Sequence, residues 1–507
     1  MTTTPIQRGH RAAGAASGLL AGAAGVLAGE GVSRLVDVTG PVVAVGNRAV
    51  DLTPRPLKEW AIATFGSADK AVLVGGVLVT LLVAVLVLGW VGARRRGVAL
   101  LGMTALVGLA ALAMVLDPAQ GGGAPALVAA VLTMLVVGVG GLAWLLSALP
   151  VRVGRAQGLD RRRFLLATSS VVALGAAGAA ARTVGGPSGS TSLDLPTAAT
   201  PADPIPEGVS FDIDGLTPHV TPTPDFYRVD TALQVPSVDA ASHVLRITGM
   251  VDRPLELTMQ DLLSRDLVER RITLTCVSNE VGGDLLGNAT WLGIPVRELL
   301  AEAGVQAGAD AVRSVSVDGY TAGTPLEVLT DDREALLAVG MNGVPLPAEH
   351  GHPLRMVTPG LYGYVSATKW LTELEVTRFA DFTAYWTDRG YAAKAPIKLS
   401  SRIDVPGSFA QLEAGEVTVA GVAWAQTVGI ERVQVRADEG EWQDAELGAE
   451  DSDQTWRAWR WRWSAEPGSH RLEVRATDRA GTVQTSRREP IAPDGSTGWH
   501  NVTVSVS

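Results

Sequence analysis

Cys276 is the single cysteine in 507 residues, and it closes an apolar run, Arg271-Ile272-Thr273-Leu274-Thr275-Cys276, before the chain turns through polar residues towards Gly282-Gly283. A thiol at a strand end that faces a loop is more accessible than one in mid-strand, and accessibility is what a soft metal ligand needs. With no second cysteine, an internal disulfide is excluded. The remaining fates are a free thiol, a metal ligand, a nucleophile, an intermolecular bridge or a small buried hydrophobe. No CxxC or HxxxH spacing exists to complete a tetrahedral zinc site, and no GxSxG elbow offers a serine nucleophile. A metal with one protein thiolate needs its other ligands from a cofactor. Further on, His350-Gly351-His352-Pro353-Leu354-Arg355 and Lys369-Trp370 bring together imidazole, guanidinium and ammonium groups, each of which taken alone is more often a surface residue than a ligand.

The elements that must position these groups follow from periodicity. Residues 244–251 and 271–276 alternate or cluster β-branched side chains as strands do, while 258–265 and 296–303 carry apolar positions three and four apart, as helices do. This mixture predicts an α+β core over 207–402. From 403 to 507 the pattern changes to short strands at 416–423, 429–437, 456–463, 470–477 and 499–505, with turns at Glu439-Gly440, Pro467-Gly468 and Asp494-Gly495. That spacing predicts an immunoglobulin-like β-sandwich. In 459–463 tryptophans alternate with arginines, so one strand face is aromatic and packed and the other cationic.

Residues 1–182 are of another kind. Stretches 71–93, 98–116 and 124–149 are apolar, uncharged and long enough to span a bilayer, and the Ala/Gly-rich stretches 12–29 and 164–181 bring the expected spans to about five. Arg94, Arg95 and Arg96 follow the second span, and Arg152, Arg155, Arg161, Arg162 and Arg163 precede the fifth. By the positive-inside rule both loops face the cytoplasm, and everything after about residue 183 lies outside as a multi-pass protein's extracytoplasmic part. Asp160-Arg161-Arg162-Arg163-Phe164-Leu165 is similar to a twin-arginine export signal, and a positive-inside stop explains the same residues equally. His10 is the one histidine before residue 183, so no haem is expected in the membrane region. Residues 183–206, rich in Gly, Pro, Ser and Thr, read as an extended tether. The first 182 residues hold 16 Lys+Arg and 7 Asp+Glu, the remainder 26 and 45, a net of +9 against −19. An acidic soluble part repels a polyphosphate backbone, which argues against nucleic acid as a partner.

The motifs resemble the sulfite oxidase family of molybdopterin enzymes, from about residue 206 to the C-terminus. TLTCVSN matches that family's metal-ligand motif, Asn288-Ala289-Thr290-Trp291-Leu292-Gly293 its Trp-centred segment, and His350 to Arg355 with Pro359-Gly360 its HGxPxR…PG stretch. The resemblance implies a molybdenum–molybdopterin cofactor with Cys276 on the metal and Asn279 beside it. It further implies pterin contacts from Thr321, His350, Arg355, Thr368 and Lys369, and from Tyr227, Arg228 and Asp230 in the segment before the first core strand. Arg228 joins Cys276 as a catalytic residue facing the substrate. Departures bear on the substrate: Glu280-Val281 stands where animal-type members carry arginines, Asp230 replaces a histidine, and Asp388 aligns with the active-site tyrosine. Arg389, Lys394, Lys398 and Arg402 are the cations available to compensate. The implied activity is oxygen-atom transfer on a small oxyanion such as sulfite, with electrons passing to an external carrier and the sandwich pairing two copies into a homodimer. Reduction of an S-oxide or N-oxide by the same centre in reverse, and a cofactor-free surface binding protein, are the competing readings.

Overall fold

The computed structural model describes residues 5–36, 38–54, 57, 64, 69–117, 123–149, 161–184 and 193–507. Arg152, Arg155 and Asp160 lie outside the described residues, as do 185–192 of the expected tether. Two compact units form, Met1–Gly189 with Ala232–Ser237, and Ser190–Thr231 with Val238–Ser507.

The first unit is helical. Among the described residues, five helices are long and apolar enough to cross a membrane: His10–Leu35, Val72–Gly92, Arg96–Val115, Gly123–Ser147 and Phe164–Ala181. Glycines let the first helix approach its neighbours closely. A Cβ on Gly18 would sit 2.1 Å from the Val85 carbonyl oxygen, and one on Gly178 would sit 2.4 Å from that of Leu27. Small residues at such crossings let helix backbones pack in direct contact.

The second unit begins with two mixed layers. Strands β1 (Val244–Gly249) and β2 (Leu255–Thr258) join β5 (Ala311–Ser316), β6 (Thr321–Pro325) and β10 (Leu371–Thr377) in a sheet of order β2-β1-β10-β5-β6. A second sheet runs β3-β4-β7-β8, from β3 (Val268–Thr275), β4 (Leu286–Pro295), β7 (Leu336–Met341) and β8 (Val344–Pro345), with β9 (Arg355–Val357) also on β7. The helix expected at 258–265 is the short Met259–Leu263, set by a capping box in which Thr258 and Asp261 satisfy each other's backbone amides. The helix at 296–303 appears as Val296–Ala303 with Val296, Leu299, Leu300 and Ala303 buried, and it stops at left-handed Gly304. The expected tether differs in part from the structure. Leu193, Leu195 and Ala198 pack on the core, and Thr200 bridges Val268, because three spaced apolar residues suffice to seat an otherwise irregular segment on a free strand edge.

The C-terminal strands make two sheets over one core. One runs β11-β13-β17-β16, from β11 (Ser400–Val405), β13 (Gly415–Trp424), β16 (Glu446–Leu447) and β17 (Arg457–Ala465). The other runs β12-β19-β18-β14-β15, from β12 (Gln411–Leu412), β14 (Ile430–Ala437), β15 (Gln443–Asp444), β18 (Gly468–Asp478) and β19 (His500–Val506). Trp459, Trp461 and Trp463 are buried between the sheets, while Arg460 and Arg462 pair outside with Glu446 and Glu416.

Candidate active site

Cys276 is the first residue beyond β3, in the loop that returns to β4. Its amide donates to the Leu285 carbonyl at 2.9 Å, and the Ser278 amide donates to its sulfur at 3.4 Å. The thiol is buried, which raises its pKa, while the Ser278 hydrogen bond favours the thiolate. It opens into a pocket enclosing about 850 Å³, part of it open to solvent.

One side of that pocket is cationic. Arg355, from β9, is 5% exposed; it donates to the carbonyls of His350 (3.1 Å) and Ala367 (3.4 Å) and lies 4.9 Å over the fully buried Trp291 ring. Its Nε has no hydrogen-bond partner. No carboxylate pairs with it among the described residues, and burial lowers its pKa to about 10. Lys369 donates to Asp230 Oδ2 at 2.9 Å and to the Glu349 carbonyl at 3.0 Å. Burial pulls its ammonium down to about 8 against the attraction of Asp230. His350 stands edge-on to Phe226, and burial together with Arg355 and Lys369 holds it neutral, with a pKa of about 4.

Tyr320, Tyr364, Trp386 and Tyr391 add an aromatic wall to the lining, with the Tyr320 hydroxyl donating to the Tyr364 carbonyl and the Tyr364 hydroxyl to that of Ala392, both at 2.6 Å. Asp318 adds a carboxylate, which accepts from Thr231.

Of the residues singled out in the sequence, Tyr227, Asp230, Cys276, His350, Arg355 and Lys369 meet around this pocket. The others stand off its lining. The Arg228 side chain is 45% exposed and bonded to Asp230. Asn279 turns back into its own loop, accepting from the Leu285 amide at 3.0 Å. Thr321 accepts from the Tyr385 amide, and Thr368 is buried against Ser314. Trp291 lies beneath Arg355 and forms no part of the wall. Asp388 is exposed, and the pocket's tyrosine from this segment is Tyr391, three residues on. The expected compensating cations are engaged elsewhere: Arg389 with Asp388 and the Tyr385 ring, Lys394 with Glu327, Lys398 with Asp494, and Arg402 with Asp404.

Residues 232–386 match the family described as oxidoreductase molybdopterin binding domain. The chain is 34% identical over 147 residues to an uncharacterised oxidoreductase, YuiH, of Bacillus subtilis (strain 168), covering 29% of this chain and 71% of that one. It is 31% identical over 342 residues to the mitochondrial sulfite oxidase of Mus musculus, covering 57% of this chain and 62% of that one. The chain belongs to the sulfite oxidase family of molybdopterin oxidoreductases. It spans 62% of the length of the mouse and human sulfite oxidases. The sulfane dehydrogenase SoxCD of Paracoccus pantotrophus shares its fold, with a TM-score of 0.51 at 22% identity over 58% of this chain and 84% of that one.

The residues present suit the family's molybdenum cofactor. A buried guanidinium with an unpaired Nε and, among the described residues, no carboxylate partner is suited to receive an anion, and a pterin phosphate or dithiolene supplies negative charge. The buried sulfur of Cys276 opens into the same pocket as a soft ligand.

Proposed function

We propose that the chain is a membrane-anchored, extracytoplasmic molybdenum enzyme that transfers an oxygen atom to a small sulfur oxyanion such as sulfite and passes the electrons to an external carrier. The observation that carries this reading is the pocket shared by the Cys276 thiol and the uncompensated Arg355 guanidinium. Cys276 would hold the metal; Arg355, His350 and Lys369 would hold the pterin, with Asp230 fixing Lys369. The bound cofactor supplies the oxygen-atom and two-electron chemistry. The protein orients the substrate and excludes water with the aromatic wall. Arg228, whose guanidinium reaches solvent beside Asp230, is positioned to meet an arriving anion. Thr321, Thr368 and Asn279 support this site from behind, by holding the Tyr385 amide, Ser314 and the Cys276 loop.

Five apolar helices with arginine-rich loops support a multi-pass anchor in a lipid bilayer, with residues after about 183 outside. The two-sheet C-terminal domain, 403–507, is read as immunoglobulin-like and as the pairing element of a homodimer.

One observation favours a second reading, reduction of neutral S-oxides or N-oxides. The wall formed by Tyr320, Tyr364, Trp386 and Tyr391 carries no cation, and Asp318 adds negative charge. A dianion is poorly matched to such a wall. Purification from a molybdenum-competent host with metal and pterin analysis tests the cofactor. Sulfite oxidation compared with sulfoxide reduction, each with artificial carriers, tests the direction. Folded protein with neither metal nor pterin would sink both readings.

A further inference from the structure

The outer face of the β12-β19-β18-β14-β15 sheet is a cationic island on an acidic protein. Strand alternation puts Val433 and Val435 of β14 and Leu472 and Val474 of β18 into the core. The opposite alternation brings Arg432, Arg436, Arg471 and Arg475 outward on neighbouring strands, with Gln434 opposite Arg475 and Arg436 opposite Glu473. Arg488 joins them: with the Asn501 amide turned so that its oxygen faces the donors, that oxygen accepts from Arg488 at 3.1 Å and from Arg471 at 3.3 Å. The carboxylates touching this group are Glu473, which accepts from Arg436 and Arg471, Asp444, which accepts from Gln434, and Asp438, which accepts from the Arg471 backbone amide at 2.8 Å. Five arginines thus meet three carboxylates, in a region (183–507) that carries 26 Lys+Arg against 45 Asp+Glu.

The guanidinium groups are held in place. Arg436 and Arg475 lie 4.6 and 4.3 Å over the Trp442 ring, and Arg475 donates twice to Gln434 Oε1, at 3.1 and 2.8 Å. Fixed guanidiniums lose little entropy when an anion docks, which favours a structured partner. The face has no lysine on a flexible stem, and both tryptophans near it are half-buried, so it lacks the projecting anchors by which proteins enter lipid.

This island adjoins the metal-ligand loop through the protein's own bonds. Trp442 meets Trp499 edge-on at 5.0 Å. Three residues before Trp499, Ser496 Oγ donates to the Asn279 carbonyl at 2.7 Å, and the Asn279 amide donates to the Cys276 carbonyl at 3.1 Å. The surface and the loop that would hold the metal are therefore linked by two hydrogen bonds and a short backbone segment.

We propose that this face is the docking site of an acidic one-electron carrier protein, and that electrons leave the reduced site through the Cys276–Asn279–Ser496–Trp499 contact. The proposal rests on the oxidase reading above. Each substrate molecule that gains an oxygen atom from water releases two electrons and two protons. Two carriers take one electron each, and the protons go to solvent.

The test uses the full chain in detergent with its cofactor loaded, and the variants Arg432→Glu and Arg432→Glu/Arg475→Glu. Arg432 is exposed and in no ion pair among the described residues, so the single variant does not depend on removing a structural contact. Binding of poly-L-glutamate is measured first, at low and high salt. The wild type binds at low salt with affinity that falls steeply as salt rises, and the double variant binds about tenfold or more weakly. Reoxidation is then followed with anionic ferricyanide and cationic hexaammineruthenium(III). The double variant slows about tenfold with the first and does not slow with the second, while reduction by substrate is unchanged. Equal polyglutamate binding by wild type and variants overturns the proposal, as does an unchanged ferricyanide rate. Binding to phosphatidylglycerol vesicles but not to polyglutamate would assign the face to the membrane, and conversion of a dimer to a monomer by these variants would assign it to a second copy; either overturns it. Loss of turnover with every acceptor would count against the oxidase reading alone, since polyglutamate binding judges the surface independently.

Discussion

Ser496 Oγ donates to the Asn279 carbonyl at 2.7 Å, so a residue of the C-terminal domain holds the loop that begins at Cys276. The same loop is gripped by Arg402, which donates to the Gly283 carbonyl at 2.7 Å. On the strand before it, the Gln426 amide donates to the Thr273 carbonyl and the Trp456 amide to the Thr273 hydroxyl. The C-terminal domain is therefore part of what positions the candidate metal ligand.

Ser496→Ala removes one hydrogen bond and leaves the Asn279 carbonyl without that donor. A stability loss of about 1 kcal/mol is expected. The functional loss should exceed what that figure implies for a distant site, because the freed loop carries Cys276. Urea titration gives the first quantity and molybdenum content per chain the second. Full metal retention in Ser496→Ala would remove the claim that this contact positions Cys276.

Arg355→Met separates the cofactor role of this residue from a structural one. In the cofactor-free protein the buried guanidinium is uncompensated, so replacing it with an apolar chain of similar length should lower stability by no more than about 1 kcal/mol. Pterin content should nevertheless drop at least tenfold. The comparison needs thermal unfolding of the cofactor-free form and pterin release from protein expressed in a molybdenum-competent host. A large stability loss with normal pterin content would make Arg355 a packing residue.

Much of this site was legible because it is local. A strand pattern ending on Cys276 and the cluster from His350 to Arg355 are properties of short segments, and the pocket assembles them. The aromatic wall was not. Tyr320, Tyr364, Trp386 and Tyr391 come from separate segments, and nothing in their spacing says that they meet. The turn that exposes Asp388 and sends Tyr391 inward depends on hydrogen bonds from Gly390 to Thr387 and from Tyr391 to Trp386, which no alignment of motifs reveals. Where the Asn279 side chain points was not legible for a related reason. An amide side chain beside a ligand can point to the metal or to its own loop, and here the Leu285 amide takes it. The fold was easier to read, since the periods persist over eight residues or more in β3, β14, β17, β18 and the helix Val296–Ala303. Leu193 and Leu195 escaped because two leucines in a Gly/Pro/Ser segment make no period.

Acid should destabilise the second unit in two steps. Burial, aided by neighbouring cations, lowers both His350 and His500 to about 4, so between about pH 6.5 and 4 the unfolded chain binds protons that the folded chain does not. Stability is lost as the pH falls through that window. Asp451 follows: burial raises its pKa, but hydrogen bonds from Arg271 and His219 outweigh this and set it at about 2. Its contribution, about 1–2 kcal/mol after allowance for screening, is present above about pH 4 and lost towards pH 2. Thermal unfolding of the full chain followed by tryptophan fluorescence should show both steps. Asp451→Asn should lose stability at neutral pH and show no second step, and a persisting second step would exclude Asp451 as its source.

Gly282 offers a sharper test of the contact between the Cys276 loop and the C-terminal domain. Its φ of +85° disfavours any side chain, and a Cβ there would lie 2.2 Å from Cδ2 and 2.3 Å from Nε2 of His500. That ring cannot swing away freely, because its Nδ1 accepts from the Ile403 amide at 3.0 Å. Gly282→Ala should therefore cost about 2–4 kcal/mol, from backbone strain plus the clash. The two parts separate in a double-mutant cycle. In a His500→Ala background the clash disappears and only the strain remains, so the cost of Gly282→Ala should fall by about half. Equal costs in both backgrounds would show that His500 does not press on this loop, and would leave the hydrogen bonds from Ser496 and Arg402 as what ties the loop itself to the C-terminal sheets.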